Sequence, residues 1–118
     1  GVNEKMAEFI NPIAILGDQM TKFTTEIGFK GMQNPDEVGA AAVDYLRVAG
    51  HLVFGYLFAR MAQVALREIA AGNTDPFYGA KLQTARFYFA KLFPETATLM
   101  RTARAGSKVL MDTDLALA

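Results

Sequence analysis

Two proline-containing segments of this chain keep a helical pattern of apolar residues on both sides of the proline. Around Pro12 the apolar residues are Met6, Phe9, Ile13, Leu16, Met20, Phe23 and Ile27. Around Pro94 the row is Leu82, Ala85, Phe89, Leu92, Thr96, Leu99, Ala103, Gly106 and Leu110. Steps of three and four residues are typical of one face of an α-helix, and a proline inside a helix bends its axis. The pattern therefore predicts long helices that are kinked at Pro12 and Pro94.

Turn-forming residues divide the chain into predicted helices. The tetrapeptide Asn34-Pro35-Asp36-Glu37 places a capping side chain before a proline and two carboxylates, which is a typical helix start. Gly28 and Gly31 just before it are predicted to end the first helix. The second helix is predicted to run from Pro35 to about Ala71.

The second connection repeats the same signals. Gly72 supplies a C-terminal stop, and Asn73-Thr74-Asp75-Pro76 starts the third helix. Because both connections are short, neighbouring helices must run antiparallel. The sequence thus predicts an all-α fold, an antiparallel up-down bundle of three long helices, with the first and third kinked at Pro12 and Pro94.

Composition excludes several classes of function. The 118 residues include 12 basic and 12 acidic side chains, so no net charge draws the protein to nucleic acid. The chain has no cysteine, which excludes disulfides and is compatible with the cytoplasmic location that we expect. We expect residues 1–118 to form a single helical-bundle domain, and the lack of a methionine before Gly1 suggests a C-terminal fragment of a larger chain.

The most apolar stretch, residues 48–66, approaches the length of a membrane span. His51, Arg60 and Gln63 interrupt it, and its longest uninterrupted apolar run, Leu52 to Ala59, has eight residues. Charged residues near the centre of a span are costly and rare. No membrane span is therefore expected.

The predicted second helix is apolar on all sides. Its expected inward row consists of Val38, Ala42, Tyr45, Ala49, Leu52, Tyr56, Ala59 and Leu66. The other sides carry Val43, Leu46, Val48, Val53, Phe54, Leu57, Phe58, Met61 and Val64. Two neighbouring helices cannot cover so much apolar surface. We therefore expect a homo-oligomer that forms through Phe54, Leu57, Phe58 and Met61.

No catalytic, cofactor-binding or metal-binding residue can be assigned from the sequence. The glycines are scattered and form no phosphate-binding loop, and a single histidine, His51, is a poor basis for a metal site. His51 is either a functional ligand or a histidine that forms hydrogen bonds across the bundle. Arg60 either reaches a phosphate of a bound ligand or a partner chain, or extends along apolar surface and pairs with a carboxylate.

Folding the third helix back on the second predicts several contacts. It brings Asp44 near Arg101 and Arg104, and His51 near Glu95. Two further pairs, Asp44 with Arg47 and Arg86 with Glu95 or with the facing helix, are either register-fixing or catalytic, and the register-fixing role is favoured. The third helix also carries the aromatic residues Phe77, Tyr78, Phe87, Tyr88, Phe89 and Phe93. These rings either stack on an adenine or pack in a core or interface, and their helical spacing without interleaved basic residues favours packing.

Three segments occur in order along the chain. They are Asp44-Tyr45-Leu46-Arg47, then Phe54 to Ala62 with the sequence FGYLFARMA, then Phe77 to Ala90 with the sequence FYGAKLQTARFYFA, followed by Pro94-Glu95-Thr96. Together they resemble the additional C-terminal helical domain of a subgroup of acyl-CoA dehydrogenases that includes enzymes of the methylmercaptopropionyl-CoA dehydrogenase type. The resemblance extends from Asp44 to Leu110, and residues 6–27 match only in pattern.

This resemblance implies a parent enzyme that binds FAD and removes hydrogens from the α and β carbons of an acyl-CoA. In that family the flavin pocket and the carboxylate base belong to upstream catalytic domains, so no catalytic role is transferred to this chain, and Glu95 is not the base. The chain is then a non-catalytic accessory or oligomerisation domain whose partner is the upstream catalytic domain. The alternative is a free-standing helical module for protein–protein interaction.

Overall fold

The computed structural model describes residues 1–106, which form helices joined by short turns. The elements are α1 (Val2–Lys5), α2 (Ala7–Gln33), α3 (Asp36–Ala70), α4 (Pro76–Phe87), a π-helix (Tyr88–Leu92) and α5 (Glu95–Ala103). No strand occurs among the described residues, which confirms the predicted all-α class.

α3 is the central element, because α2 packs along one side of it and α4 and α5 pack along another. Near one end of the α2–α3 hairpin, the hydroxyl of Thr24 lies 2.8 Å from the hydroxyl of Tyr45. Further along, Ile13 of α2 lies beside Gly55 of α3. From Thr24 back to Ile13 the partner on α3 moves forward from Tyr45 to Gly55. The two helices therefore run in opposite directions.

The contacts between α3 and the C-terminal elements likewise indicate opposite chain directions. Phe58 stacks on Tyr88, with ring centroids 4.5 Å apart, whereas Arg47, nearer the start of α3, pairs with Glu95. The described part of the molecule is elongated and thin, 64 × 28 × 15 Å along its principal axes. A thickness of 15 Å leaves no room for a further helical layer over the remaining side of α3.

The apolar row of α2 faces the core as predicted. Its buried members are Met6, which precedes the helix, and Phe9, Leu16, Met20 and Phe23. Pro12 lies inside α2, and the helix continues through it although proline supplies no N–H for the carbonyl of Glu8.

The predicted end of the first helix is wrong. α2 continues through Gly28 and Gly31 to Gln33, because neither glycine adopts the positive φ of a helix stop. The helix ends instead where Asn34 becomes extended, with φ −146°, before Pro35. A residue that precedes proline is sterically biased toward this extended conformation.

The turn between α3 and α4 forms as predicted. Gly72 adopts a φ of +91°, and the amides of Gly72 and Asn73 donate to the carbonyls of Ile69 and Glu68. This pair of bonds is a Schellman motif, which satisfies carbonyls left free at a helix end. The side chain of Asp75 then accepts a backbone N–H at the start of α4.

The predicted third helix is interrupted before Pro94. The N–H of Phe93 donates to the carbonyl of Tyr88, 2.9 Å away and five residues back, which is the bond of a π-helix. This wider turn changes which side chain faces inward. Phe93 is buried, whereas Leu92, which the pattern placed on the inner row, is 49% exposed.

The end of the third helix also differs from the prediction. α5 ends at Ala103, and Gly106 adopts a φ of +82° in the turn that follows. Glycine adopts this conformation without steric cost. Gly106 therefore does not continue the helical row, and Leu110 lies outside the described residues.

The buried face of α3 is rotated from the predicted row. The buried residues are Ala41, Val48, Gly55, Ala59, Ala62, Ala65 and Leu66. Val38 and Tyr56 of the predicted row are instead exposed. The cause is close helix packing: a Cβ on Gly55 would lie 3.2 Å from the ring of Phe93 and 3.3 Å from Ile13. Small residues of α3 therefore line the contact with its neighbours.

Candidate functional site

The outer side of α3 carries a second row of residues at helical spacing. This row, the outer seam, consists of Val43, Leu46, Gly50, Val53, Leu57, Arg60 and Val64, separated alternately by three and four residues. Its five large apolar side chains are each at least half exposed. At ~100° per residue, the outer seam lies opposite the buried face. Such an exposed row is typical of a surface that another helix covers.

α3 directs its largest apolar side chains outward. Five of its seven buried residues are alanine or glycine, whereas the outer seam and the adjacent Phe54 carry leucine, valine and phenylalanine. Large apolar side chains are the residues that a soluble monomer normally buries. The reversed distribution on α3 leaves an apolar outer side exposed within the described residues.

Two of the four residues predicted at an oligomer contact lie on this outer side. Phe54 and Leu57 are each 54% exposed. The buried apolar residues form two clusters, one that includes Phe23, Val48 and Tyr88 and one that includes Phe9, Ala62 and Ala85. Phe58 packs against both clusters and stacks on Tyr88, and Met61 packs against the second cluster. The spacing of the outer seam includes Leu57 and excludes Phe58 and Met61, but it does not distinguish Phe54, which lies beside the seam.

Arg60 lies at the edge of an apolar groove between α2 and α3. The lining residues are Met6, Ile10, Ile13, Ala14, Tyr56, Ala59, Arg60 and Gln63. Within residues 1–106 the guanidinium of Arg60 has no hydrogen bond or ion pair, so the predicted carboxylate partner is not found there. One cation and one amide are too few donors for the phosphates of a dinucleotide such as FAD, so the groove does not fit that cofactor.

A polar cluster joins α3 to the π-helix and α5. Nδ1 of His51 lies 3.0 Å from Oη of Tyr88, and Nε2 of His51 lies 2.9 Å from Oε2 of Glu95. Arg47 pairs with the other oxygen of Glu95. The contact of His51 with Glu95 across the bundle is therefore confirmed. Tyr88 and Arg47 were missed as members of this cluster, although Tyr88 lies three residues after the buried Ala85 and so shares its face of the helix.

The environment of this cluster shifts two ionisation equilibria. Burial raises the pKa of Tyr88 to about 12, and the charge of Glu95 adds to the effect. The hydrogen bond with His51 lowers the pKa of Glu95, and the attraction of Arg47 acts in the same direction. The hydroxyl of Tyr88 also lies 2.9 Å from the carbonyl oxygen of His51. Because these groups bind one another, the cluster fixes helix register and presents no free reactive group to a substrate.

The predicted pairs of Asp44 are wrong. Arg47 binds a carboxylate of α5 instead, and Arg104 lies 3.8 Å from Glu26 of α2. Within the described part of the chain Asp44 has no ion pair with Arg101 either. The carboxylates that Arg47 and Arg104 meet are those of Glu95 on α5 and Glu26 on α2.

The residues of α4 and the π-helix divide between core and surface. Arg86 pairs with Glu8 of the facing helix α2 at 2.8 Å, as predicted. The aromatic residues that pack inside are Tyr88, Phe89 and Phe93. Phe77 and Phe87 are instead exposed, by 54% and 59%. The prediction of core packing is therefore confirmed for Tyr88, Phe89 and Phe93.

The described residues 1–106 contain no group of three His, Cys, Asp or Glu side chains that could hold a metal ion. By length and composition alone, α3 meets the criteria for a membrane-spanning helix. The central helix of a soluble protein meets the same criteria, and α3 carries His51 and Arg60. The absence of a membrane span stays a prediction.

The helical fold, the exposed outer seam and the internally hydrogen-bonded polar cluster together describe a helical domain with an apolar outer surface. Residues 2–114 match the protein family described as "Acetyl-CoA dehydrogenase C-terminal like". The chain belongs to this family, which supports the resemblance to the C-terminal domain of acyl-CoA dehydrogenases. No curated protein matches the chain.

Proposed function

We propose that this chain is a non-catalytic C-terminal accessory domain of an FAD-dependent acyl-CoA dehydrogenase. The observation that carries the proposal is the family match, which spans residues 2–114 and so covers almost the whole chain. The parent reaction would be the α,β-dehydrogenation of an acyl-CoA, in an enzyme of the methylmercaptopropionyl-CoA dehydrogenase type. FAD would be bound upstream, and the enzyme would be cytoplasmic.

The role proposed for the domain is assembly. Its exposed outer seam offers apolar surface to the upstream catalytic domain or to another subunit. The polar cluster of His51, Tyr88 and Glu95 would hold the helices in the register that presents this surface. The proposed architecture is an antiparallel bundle of three segments, with bends at Pro12, inside α2, and at Pro94, just after the π-helix.

The second candidate is a free-standing helical interaction module. The same outward apolar side chains of α3 favour it, because such a surface serves any protein partner. The gene separates the two candidates: a flavin-binding dehydrogenase domain encoded upstream in the same reading frame supports the accessory domain, and its absence supports the module.

The biochemical test compares this chain with the full-length product of its gene. We expect the full-length protein to carry stoichiometric flavin and to reduce an artificial electron acceptor with an acyl-CoA. The 118-residue chain alone should purify colourless and show no such activity, because residues 1–106 offer no convergent acid, base and phosphate donors. Stoichiometric flavin on the isolated chain, or a flavin-free full-length protein, would overturn the proposal.

A further inference from the structure

We infer that the outer seam of α3 pairs with the outer seam of a second copy of this chain, antiparallel, about a two-fold axis at Gly50. This inference rests on the proposed role in assembly and names the partner and its orientation. The first support is the spacing of the seam. Alternating steps of three and four residues are the pattern by which two helices interlock along a left-handed crossing.

The second support is the symmetry of the seam about Gly50. In an antiparallel pair centred there, Val43 of one copy lies opposite Leu57 of the other, and Leu46 lies opposite Phe54. Val43, Leu46 and Gly50 then meet apolar positions of the other copy, and Val53 lies level with Arg47, which binds Glu95 of its own chain. A two-fold interface requires one surface patch to complement itself in this way.

The third support is the glycine at the centre. A Cβ built on Gly50 would meet no other atom within 4 Å, so no contact among the described residues requires a glycine there. Glycine inside an exposed helix costs stability relative to alanine. Close approach of a second helix backbone explains its presence, as it does where small residues line other helix contacts.

The available area is adequate for a dimer. Six side chains, the five large apolar members of the outer seam and Phe54, are each at least half exposed. At roughly 100 Å² each they offer ~600 Å² per copy, near the upper end of the patches found on monomers. Two copies together approach the ~1,200 Å² at which specific interfaces begin, before the flanking side chains are added.

The position of Arg60 favours the antiparallel orientation. In a parallel pair the two Arg60 side chains would face each other on the seam, which places like charges in contact. In the antiparallel pair they lie roughly 30 Å apart, and each faces the small residues Gly39 to Ala42 of the other copy. Those residues leave room for the arginine stem.

Disulfide trapping tests the geometry, since the chain has no cysteine of its own. Under mild oxidation Gly50→Cys should form a disulfide dimer, because the two residues meet at the axis. Val64→Cys should not, since the two positions lie roughly 40 Å apart. Leu46→Cys and Phe54→Cys should cross-link with each other and not with themselves. Ile15→Cys, an exposed control on α2, should stay uncross-linked.

Sedimentation equilibrium of the unmodified chain tests the association itself. We expect a dimer that Leu57→Glu converts to monomer with an unchanged helical spectrum, whereas Ile15→Glu, equally apolar and 60% exposed, leaves the dimer intact. If Leu57→Glu unfolds, cross-linking of the cysteine variants still tests whether the dimer forms. An unmodified chain that is monomeric, or Val64→Cys cross-linking as fast as Gly50→Cys, would overturn the inference.

The outcomes also separate this inference from the proposed function. A monomeric chain that binds its own catalytic domain, or that co-floats with neutral lipid vesicles in a density gradient, identifies another partner for the outer seam. That result refutes the dimer inference and leaves the proposed function standing. A disulfide-trapped dimer of a chain whose gene encodes no flavin-binding domain refutes the proposed function and leaves the dimer inference standing.

Discussion

Nε2 of His51 lies 2.9 Å from Oε2 of Glu95 and ties the middle of α3 to the first turn of α5. An ionised carboxylate only accepts hydrogen bonds, so Nε2 must carry the hydrogen between them. Nδ1 then accepts from the hydroxyl of Tyr88 in the neutral imidazole. When Nδ1 is protonated it donates to that hydroxyl, whose own hydrogen turns to the carbonyl of His51, 2.9 Å away. The cluster therefore accommodates both charge states of the histidine without moving a heavy atom.

The lowered pKa of Glu95 predicts an acid dependence of stability. Its pKa in the folded state lies below the ordinary 4.5, so the carboxylate stabilises the fold above pH 4.5, and this contribution disappears as pH falls through the folded pKa. Chemical denaturation of Glu95→Gln should show lower stability at neutral pH and a shallower decline on acidification. Asp18→Asn, which alters a surface pair with Lys22, is the control and should change neither. An unchanged acid profile in Glu95→Gln would contradict this prediction.

The raised pKa of Tyr88 predicts a loss of stability at high pH. Burial stabilises the neutral phenol, so its contribution is complete below pH 10 and is lost as pH rises from 10 toward about 12. Ultraviolet titration of the four tyrosines should show one that ionises near pH 12, and Tyr88→Phe should remove that step. Tyr88→Phe should also cost about 1–2 kcal/mol at neutral pH, because Nδ1 of His51 loses its partner. Tyr56→Phe, at an exposed site, should leave both the late step and the stability unchanged.

The sequence predicts the elements with strong local signals. Most of the row from Met6 to Phe23 is buried, and the glycine at position 72 and the aspartate at position 75 form the helix stop and helix start that their chemistry favours. Capping and turn chemistry act within a few residues, so a single sequence carries that information.

The faces of α3 and the π-helix depend on tertiary packing, which is why the sequence does not predict them. On a helix that is apolar all round, size would place Phe54 and Leu46 inside, yet close packing around Gly55 requires the small residues there. Leu92 and Phe93 are adjacent and both apolar, so only the extra residue in the π turn decides which one is buried.

The close contact at Gly55 predicts intolerance to larger residues. A Cβ added at position 55 would lie within 3.3 Å of Ile13 and Phe93, which belong to two different neighbours of α3. Gly55→Val should therefore destabilise the fold by ~1–3 kcal/mol through overpacking. Gly79→Val in α4 makes the same chemical change where no atom lies within 4 Å, and it should cost less than ~0.5 kcal/mol. Equal denaturation midpoints for the two variants would show that the helices can move apart at Gly55.

Phe58 and Phe54 should respond differently to truncation, although both were expected at one interface. Phe58 joins the two apolar clusters and stacks on Tyr88, whereas Phe54 is 54% exposed on the outer side of α3. In thermal denaturation at low protein concentration, where the monomer prevails, Phe58→Ala should cost ~2–4 kcal/mol because it removes core contacts. Phe54→Ala should stay within ~0.5 kcal/mol under the same conditions. A smaller loss for Phe58→Ala than for Phe54→Ala would mean that the core contact of Phe58 contributes little, and that the outer surface of α3 is covered within the single chain.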